Sequence, residues 1–162
     1  MPAKDECPCG TRRPYAACCQ PYHAGRREPP DAESLMRSRY AAFARGEPDY
    51  LWRTLHEEHP DRARDPAEVT RALRETIRTF KYMGLTILET RAADADGIAR
   101  VLFWARIFEK GRERSFVELS EFAHDGEGWR YLAGETVPVA ELPGDPAKLT
   151  IDGFHAATAR GR

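Results

Sequence analysis

The apolar positions of this chain change period once, from about 3.6 to 2, close to residue 83. Before that point Met36, Tyr40 and Phe43 recur at helical spacing and predict a first helix. Asp31 can cap its start, and Gly46 followed by Pro48 ends it. Tyr50, Leu51, Trp52 and Leu55 predict a short second helix opened by Asp49. The stretch from His56 to Arg64 is polar and reads as a loop. A third helix carries the clearest start signal, with Asp65 as N-cap, Pro66 at the first helical position and Glu68 completing the first turn. Val69, Leu73, Ile77 and Phe80 then form a single apolar stripe.

Beyond Met83 the alternation is that of strands. Leu85, Ile87 and Leu88 mark the first, Val101 to Phe108 the second, Phe116 to Phe122 the third and Trp129 to Leu132 the fourth. Asp94-Ala95-Asp96-Gly97, Lys110-Gly111 and Asp125-Gly126 supply the turns, so the strands form an antiparallel meander. The second strand is apolar on both faces. Helices first and strands afterwards mean an α+β fold, with the helices on one face of a curved sheet and room for a cavity between the layers. From Pro138 the chain is rich in Pro, Gly, Ala and Asp and reads as a tail lying loosely on the surface. The expected organisation is therefore a module at 1–30, an α+β domain at 31–137 and a tail at 138–162.

Residues 1–30 have no hydrophobic period, yet they hold all four cysteines, Cys7, Cys9, Cys18 and Cys19. Such a segment cannot bury enough apolar area to fold unaided, and a metal staple is the natural remedy. Four thiolates in two close pairs suit tetrahedral zinc, and Gly10 lets the chain turn beside Cys9. The other use of four cysteines, two disulfides, needs an oxidising compartment. The first six residues are polar, without the apolar stretch of a secretory leader, so the expected compartment is the cytoplasm, where thiols stay reduced. A shell of four cysteines leaves no position for water, which argues for a structural or docking ion and against chemistry at the metal. His23 is then a spare nitrogen.

Charge narrows the field of partners. The formal net charge of the 162-residue chain is −1, which gives no signal for nucleic acid, and no apolar run approaches the length of a membrane span. Residues 1–45 carry eight basic against five acidic side chains, an excess that partly offsets the thiolates.

The sequence Cys7-Pro8-Cys9-Gly10 with Tyr15, Cys18 and Cys19 closely resembles the SEC-C motif, in which the matching positions bind zinc. The segments Cys18 to Gly25, Leu35-Met36-Arg37-Ser38-Arg39-Tyr40-Ala41-Ala42-Phe43, Asp49-Tyr50-Leu51 with Thr54 and His56, Gly84-Leu85-Thr86 and Asp94-Ala95-Asp96 are similar to the YchJ family of bacterial proteins. The resemblance runs from residue 7 to about 134. It implies a middle domain of the nuclear transport factor 2-like, or cystatin-like, cone type, but no settled activity. Two departures stand out. Many members carry a second zinc motif at the C-terminus, which is lacking here. The family also places His-Pro directly after the second helix, whereas here Glu57-Glu58 follow His56 and the His-Pro pair comes at His59-Pro60.

Cones of this kind often hold a small-molecule pocket at the open end. Leu102, Trp104 and Arg106 share one strand face, and Phe116, Glu118 and Ser120 share another. With the turn centred near Gly111–Arg112, Arg106 lies opposite Glu118, either as a ligand-binding pair or as a cross-strand salt bridge. Arg37, Tyr40 and His56 complete the candidate pocket, with Trp104, Arg106 and Glu118. Arg37 and Arg39 are also placed to reach an anion or the carbonyls of the cysteine module. His56-Glu57-Glu58-His59 lacks the helical four-residue spacing of a zincin site.

Two functions follow. The leading one is an adaptor that docks a protein or ribonucleoprotein partner through a surface of Arg12, Arg13, Tyr15 and Tyr22. The alternative is a small-molecule-binding protein or enzyme that uses the cone, and the sequence does not decide whether it is an enzyme.

Overall fold

The computed structural model of the protein describes residues 5–160. After a 3-10 turn at Tyr15–Ala17, a short helix α1 (Gln20–His23) closes the cysteine-bearing segment. Helix α2 (Ala32–Arg45) begins where the side chain of Asp31 accepts a hydrogen bond from the Ser34 N–H at 2.7 Å. It ends at Gly46 in the left-handed conformation. Helix α3 (Pro48–Arg53) starts one residue before the expected Asp49, because proline at the first position needs no N–H partner. The polar loop that follows contains a 3-10 turn at Pro60–Ala63. Helix α4 (Pro66–Thr79) starts at the Asp65 cap.

The strands are β1 (Lys81–Arg91), β2 (Ala99–Glu109), β3 (Arg112–Glu113), β4 (Phe116–His124) and β5 (Trp129–Pro138). They form one antiparallel sheet in the order β1-β2-β4-β5, with β3 paired to β2. β1 and β5 are longer than alternation alone predicts, because their outer residues are held by pairing rather than by burial.

Helix α2 is the pivot of the fold. Met36, Tyr40 and Leu35 join Val101, Phe103, Ala105, Ile107 and Phe122 of the sheet in the main core. Ala41 meets the cysteines, and Ala42 meets Tyr50 and Leu51 of α3. Small residues on that side let two further layers approach the helix closely. By contrast α4 is buried only at Val69 and Thr70. Leu73, Thr76 and, just past the helix end, Phe80 face a cavity instead of a filled core.

The register corrects one expectation. The β2–β3 turn centres on Lys110–Gly111, not on Gly111–Arg112, with Glu109 opposite Arg112. Both turn residues take positive φ, 50° and 79°, the geometry that matches the right-handed twist of a two-residue hairpin. A two-residue turn pairs odd-numbered positions of β2 with even-numbered positions of β4, so Phe103 and not Arg106 lies opposite Glu118. Arg106 and Trp104 stand on the far face of the sheet, and no Arg106–Glu118 pair forms. Lys110 carries a Cβ in the left-handed region, which Asn tolerates better. Lys110→Asn is therefore expected to raise stability by about 0.5 kcal/mol in a chemical denaturation series.

The C-terminal segment also differs from expectation. It is not loose, since helix α5 (Ile151–Arg160) seats Ile151 and Phe154, both fully buried, on Leu102, Val117 and Leu119. Its first N–H donates to Glu89 at 2.9 Å, and Asp152 pairs with Arg91 at 3.0 Å. The double-sided apolarity of β2 is thereby explained, with the cone on one face and α5 on the other. No helix among the described residues is long and apolar enough to cross a membrane.

Candidate metal centre and cone cavity

The four cysteines are buried and come together from two turns. The Cys7 N–H donates to Arg13 O and the Tyr15 N–H to Asp5 O, each at 2.8 Å, which folds residues 5–15 back on themselves. The four sulfurs lie within 4.8 Å of one another, with Cys9 and Cys18 at 3.5 Å and Cys18 and Cys19 at 4.0 Å. A tetrahedron with metal–sulfur bonds near 2.3 Å requires sulfur separations of about 3.8 Å. All four cysteines are free rather than disulfide-bonded. Contacts to the Cys7 and Cys9 sulfurs, with burial, push the Cys19 thiol pKa strongly upward. Four thiolates so crowded need a cation among them, so the donor set and its spacing fit a metal ion. The Thr11 hydroxyl sits 3.4 Å from the Cys9 sulfur and 3.2 Å from that of Cys18.

The module is fastened to α2 at several points. Arg37 donates from Nη1 to Cys9 O at 2.7 Å and pairs with Glu33 at 3.0 Å. Of the two uses expected for Arg37, the structure thus shows the module carbonyl, and Arg37 does not line the cavity. His23 donates from Nε2 to Ser38 O at 2.8 Å, and the Tyr15 hydroxyl donates to its Nδ1 at 2.6 Å. Burial lowers the His23 pKa, which favours this neutral form. Gly10 has φ +91°, and a Cβ there would stand 2.9 Å from Leu85 O. Gly10→Ala is accordingly expected to pry the module from β1 and cost about 1–3 kcal/mol, read as a lower melting temperature.

The expected docking surface is partly spent inside the molecule. Tyr15 lies beneath the Arg45 guanidinium at 3.8 Å, and Tyr22 packs beside Tyr50 and Leu51. Arg12 and Arg13 remain exposed.

Between α2, α4 and the sheet lies a cavity of about 600 Å³. Its walls are apolar and rich in aromatic side chains from Phe43, Phe80, Phe103 and Phe116. Asp61 and the Glu109–Arg114 pair also line it, and a further polar group gathers around Glu118. Glu118 accepts hydrogen bonds from the Ser120 hydroxyl, from Tyr131 at 2.9 Å and from Thr136 at 3.1 Å. Gly134 makes room for that cluster, since a Cβ there would overlap both Tyr131 and Glu118. Arg39 lies over the Tyr131 ring at 4.7 Å. Burial, then Glu118, raise the Tyr131 pKa and keep the phenol protonated. Tyr40 is pushed up to about 12 by burial and accepts from the Gly84 N–H at 2.9 Å.

Of the six expected pocket residues, Tyr40 and Glu118 line this cavity. Trp104 and Arg106 lie across the sheet, and Arg37 holds the module. His56 is absent from the lining; its backbone N–H donates to Tyr131 O and its Nδ1 accepts from the Glu58 N–H. His59 lines the cavity instead, 5.6 Å from the Tyr131 ring, and burial lowers its pKa. The sequence reading places Arg39 to reach an anion or a module carbonyl but not in the cone, and it leaves His59 and Tyr131 out of the pocket. One signal existed, because Arg39 falls three residues after Met36 and four before Phe43, inside the apolar stripe.

Taken together, the architecture is that of a cone-shaped α+β domain carrying a four-cysteine N-terminal module. The family described as "YchJ, middle NTF2-like domain" matches residues 31–134. UPF0225 protein YchJ of Shigella dysenteriae serotype 1 (strain Sd197) is 40% identical over 132 residues, covering 79% of this chain and 81% of that protein. The solution structure of a SEC-C motif-containing protein from Rhodopseudomonas palustris superimposes with a TM-score of 0.69 at 31% identity, over 82% of this chain and 98% of that one. A crystal structure of a SEC-C motif-containing protein from Psychrobacter arcticus shares the fold, with a TM-score of 0.66 at 23% identity over 91% of this chain and 92% of that one. The chain belongs to the YchJ family.

Proposed function

We propose that this protein is a zinc-stabilised receptor for a small, largely apolar molecule held in the cone. The observation that carries this reading is the cavity of about 600 Å³, walled largely by apolar and aromatic side chains with a few polar and charged groups among them. Its size falls within the roughly 300–1,000 Å³ of ligand pockets, and a few convergent polar groups in an apolar lining are the usual means of fixing a ligand's orientation. Zinc fits the four-thiolate shell, closed to water, and serves to fasten the module to α2. The reduced thiols accord with the cytoplasm. Docking of a protein or ribonucleoprotein partner through the module has weaker support, because Tyr15 and Tyr22 are engaged internally.

The test uses N-phenyl-1-naphthylamine, an uncharged probe that fluoresces in apolar surroundings. The wild-type protein is expected to enhance its emission saturably. Leu73→Trp, which fills the cavity from α4, is expected to abolish the enhancement while the circular dichroism stays unchanged. No saturable enhancement with the wild type, or full enhancement with a folded Leu73→Trp protein, would overturn the reading.

A further inference from the structure

The buried cation of the cavity is Arg39, and the carboxylate that acts on it, that of Glu118, does so from beyond salt-bridge distance. Arg39 is only 6% exposed, and among the described residues it makes no ion pair within 4.0 Å. Its two hydrogen bonds both leave from Nη1, to Leu51 O at 2.9 Å and to the Thr54 hydroxyl at 2.6 Å. Those bonds fix the plane of the guanidinium, and the Tyr131 ring supports it at 4.7 Å. Nε and Nη2 make no hydrogen bond among the described residues, although the side chain lines the cavity. Glu118 lines the same space, but its carboxylate is taken by three hydroxyl donors, from Ser120, Tyr131 and Thr136. An arginine cannot shed its proton to escape burial, so a desolvated guanidinium is costly until an anion meets its free edge.

We infer that the cavity takes an amphipathic carboxylate, with its carboxylate on the free edge of Arg39 and its apolar body along Phe43, Phe80, Phe103 and Phe116. A carboxylate matches the planar fork of two N–H donors, which a point acceptor such as a hydroxyl does not. The aromatic walls take up an alkyl or aryl body without polar demands. This inference rests on the receptor reading above, and it adds the charge and the polarity of the ligand.

The test is displacement of N-phenyl-1-naphthylamine from the full-length protein by micromolar dodecanoate and by dodecanol, which share a chain and differ in the head group. Dodecanoate is expected to compete about tenfold to a hundredfold better, the range of a charge-assisted hydrogen-bonded pair. In Arg39→Met the preference is expected to vanish while dodecanol still competes. Arg39→Lys keeps the charge and is expected to keep part of the preference, which covers the case in which Arg39→Met does not fold. Equal competition by the two compounds in the wild type would overturn the assignment of Arg39 yet leave the receptor reading standing. A preference that survives in a folded Arg39→Met protein would overturn it as well. Failure of the uncharged probe itself to bind would sink the receptor reading, and the inference with it.

Discussion

Removing the metal is expected to undo the N-terminal module while the cone stays folded. Between residues 5 and 28 the buried side chains are the four cysteines themselves, with Ala41 of α2 beneath them and Tyr15 at the side. Without a cation the sulfurs are either crowded neutral thiols or unpaired buried charges, and neither holds the two turns together. Structural zinc in small peptides contributes roughly 10–16 kcal/mol of apparent binding energy at neutral pH, and without it those peptides do not fold. Here the loss is smaller, because Arg37 on Cys9 O and His23 on Ser38 O still tether the module to α2. We expect Cys9→Ser, or a strong chelator, to lower stability by at least about 3 kcal/mol. Elemental analysis of the purified protein should give one zinc per chain. Amide exchange should show protection lost at residues 7–23 and retained in β2 and β4. Protein purified without metal, or a melting curve indifferent to the chelator, would contradict this account.

Phe154→Ala is expected to be nearly as damaging, though it lies in a segment that looks dispensable by composition. The side chain is fully buried among Leu102, Val117, Leu119 and Ile151. Truncating a buried phenylalanine costs roughly 3–5 kcal/mol, made up of lost transfer energy and the cavity left behind. The outer face of β2 and β4 would also lose its cover, exposing an apolar patch on a long sheet. Urea denaturation should show the lower midpoint, and the variant should aggregate more readily on heating. A loss below about 1 kcal/mol would mean that α5 is only loosely applied to the sheet.

Much of the fold is legible along the chain, and particular residues show why. Asp31 and Asp65 cap helices as their chemistry requires, and Gly46 ends one. These are local effects, decided within one turn of backbone. The cysteine cluster is equally local, since two close pairs joined by a short loop have few other ways to meet. The pocket was harder to read because it depends on register. Tyr40 and Glu118 belong to it, but so do Arg39, His59 and Tyr131, which come from α2, the loop after α3 and β5.

The sequence by itself determined the order of helices and strands, their caps and turns, the four-thiol cluster and membership in a family with this architecture. Only the tertiary structure decided which side chains share a space. A two-residue turn at Lys110–Gly111 pairs odd-numbered positions of β2 with even-numbered positions of β4, which brings Phe103 opposite Glu118 and leaves Arg106 on the far face, because strand faces alternate with every residue. It also decided that the C-terminal segment is a seated helix, since the apolar outer face of β2 and β4 needs a cover that composition does not announce. And it decided that Arg39 points a cation into an apolar cavity. The stripe of Met36 and Phe43 places Arg39 on the buried face of its helix, but what it meets there comes from packing among distant segments.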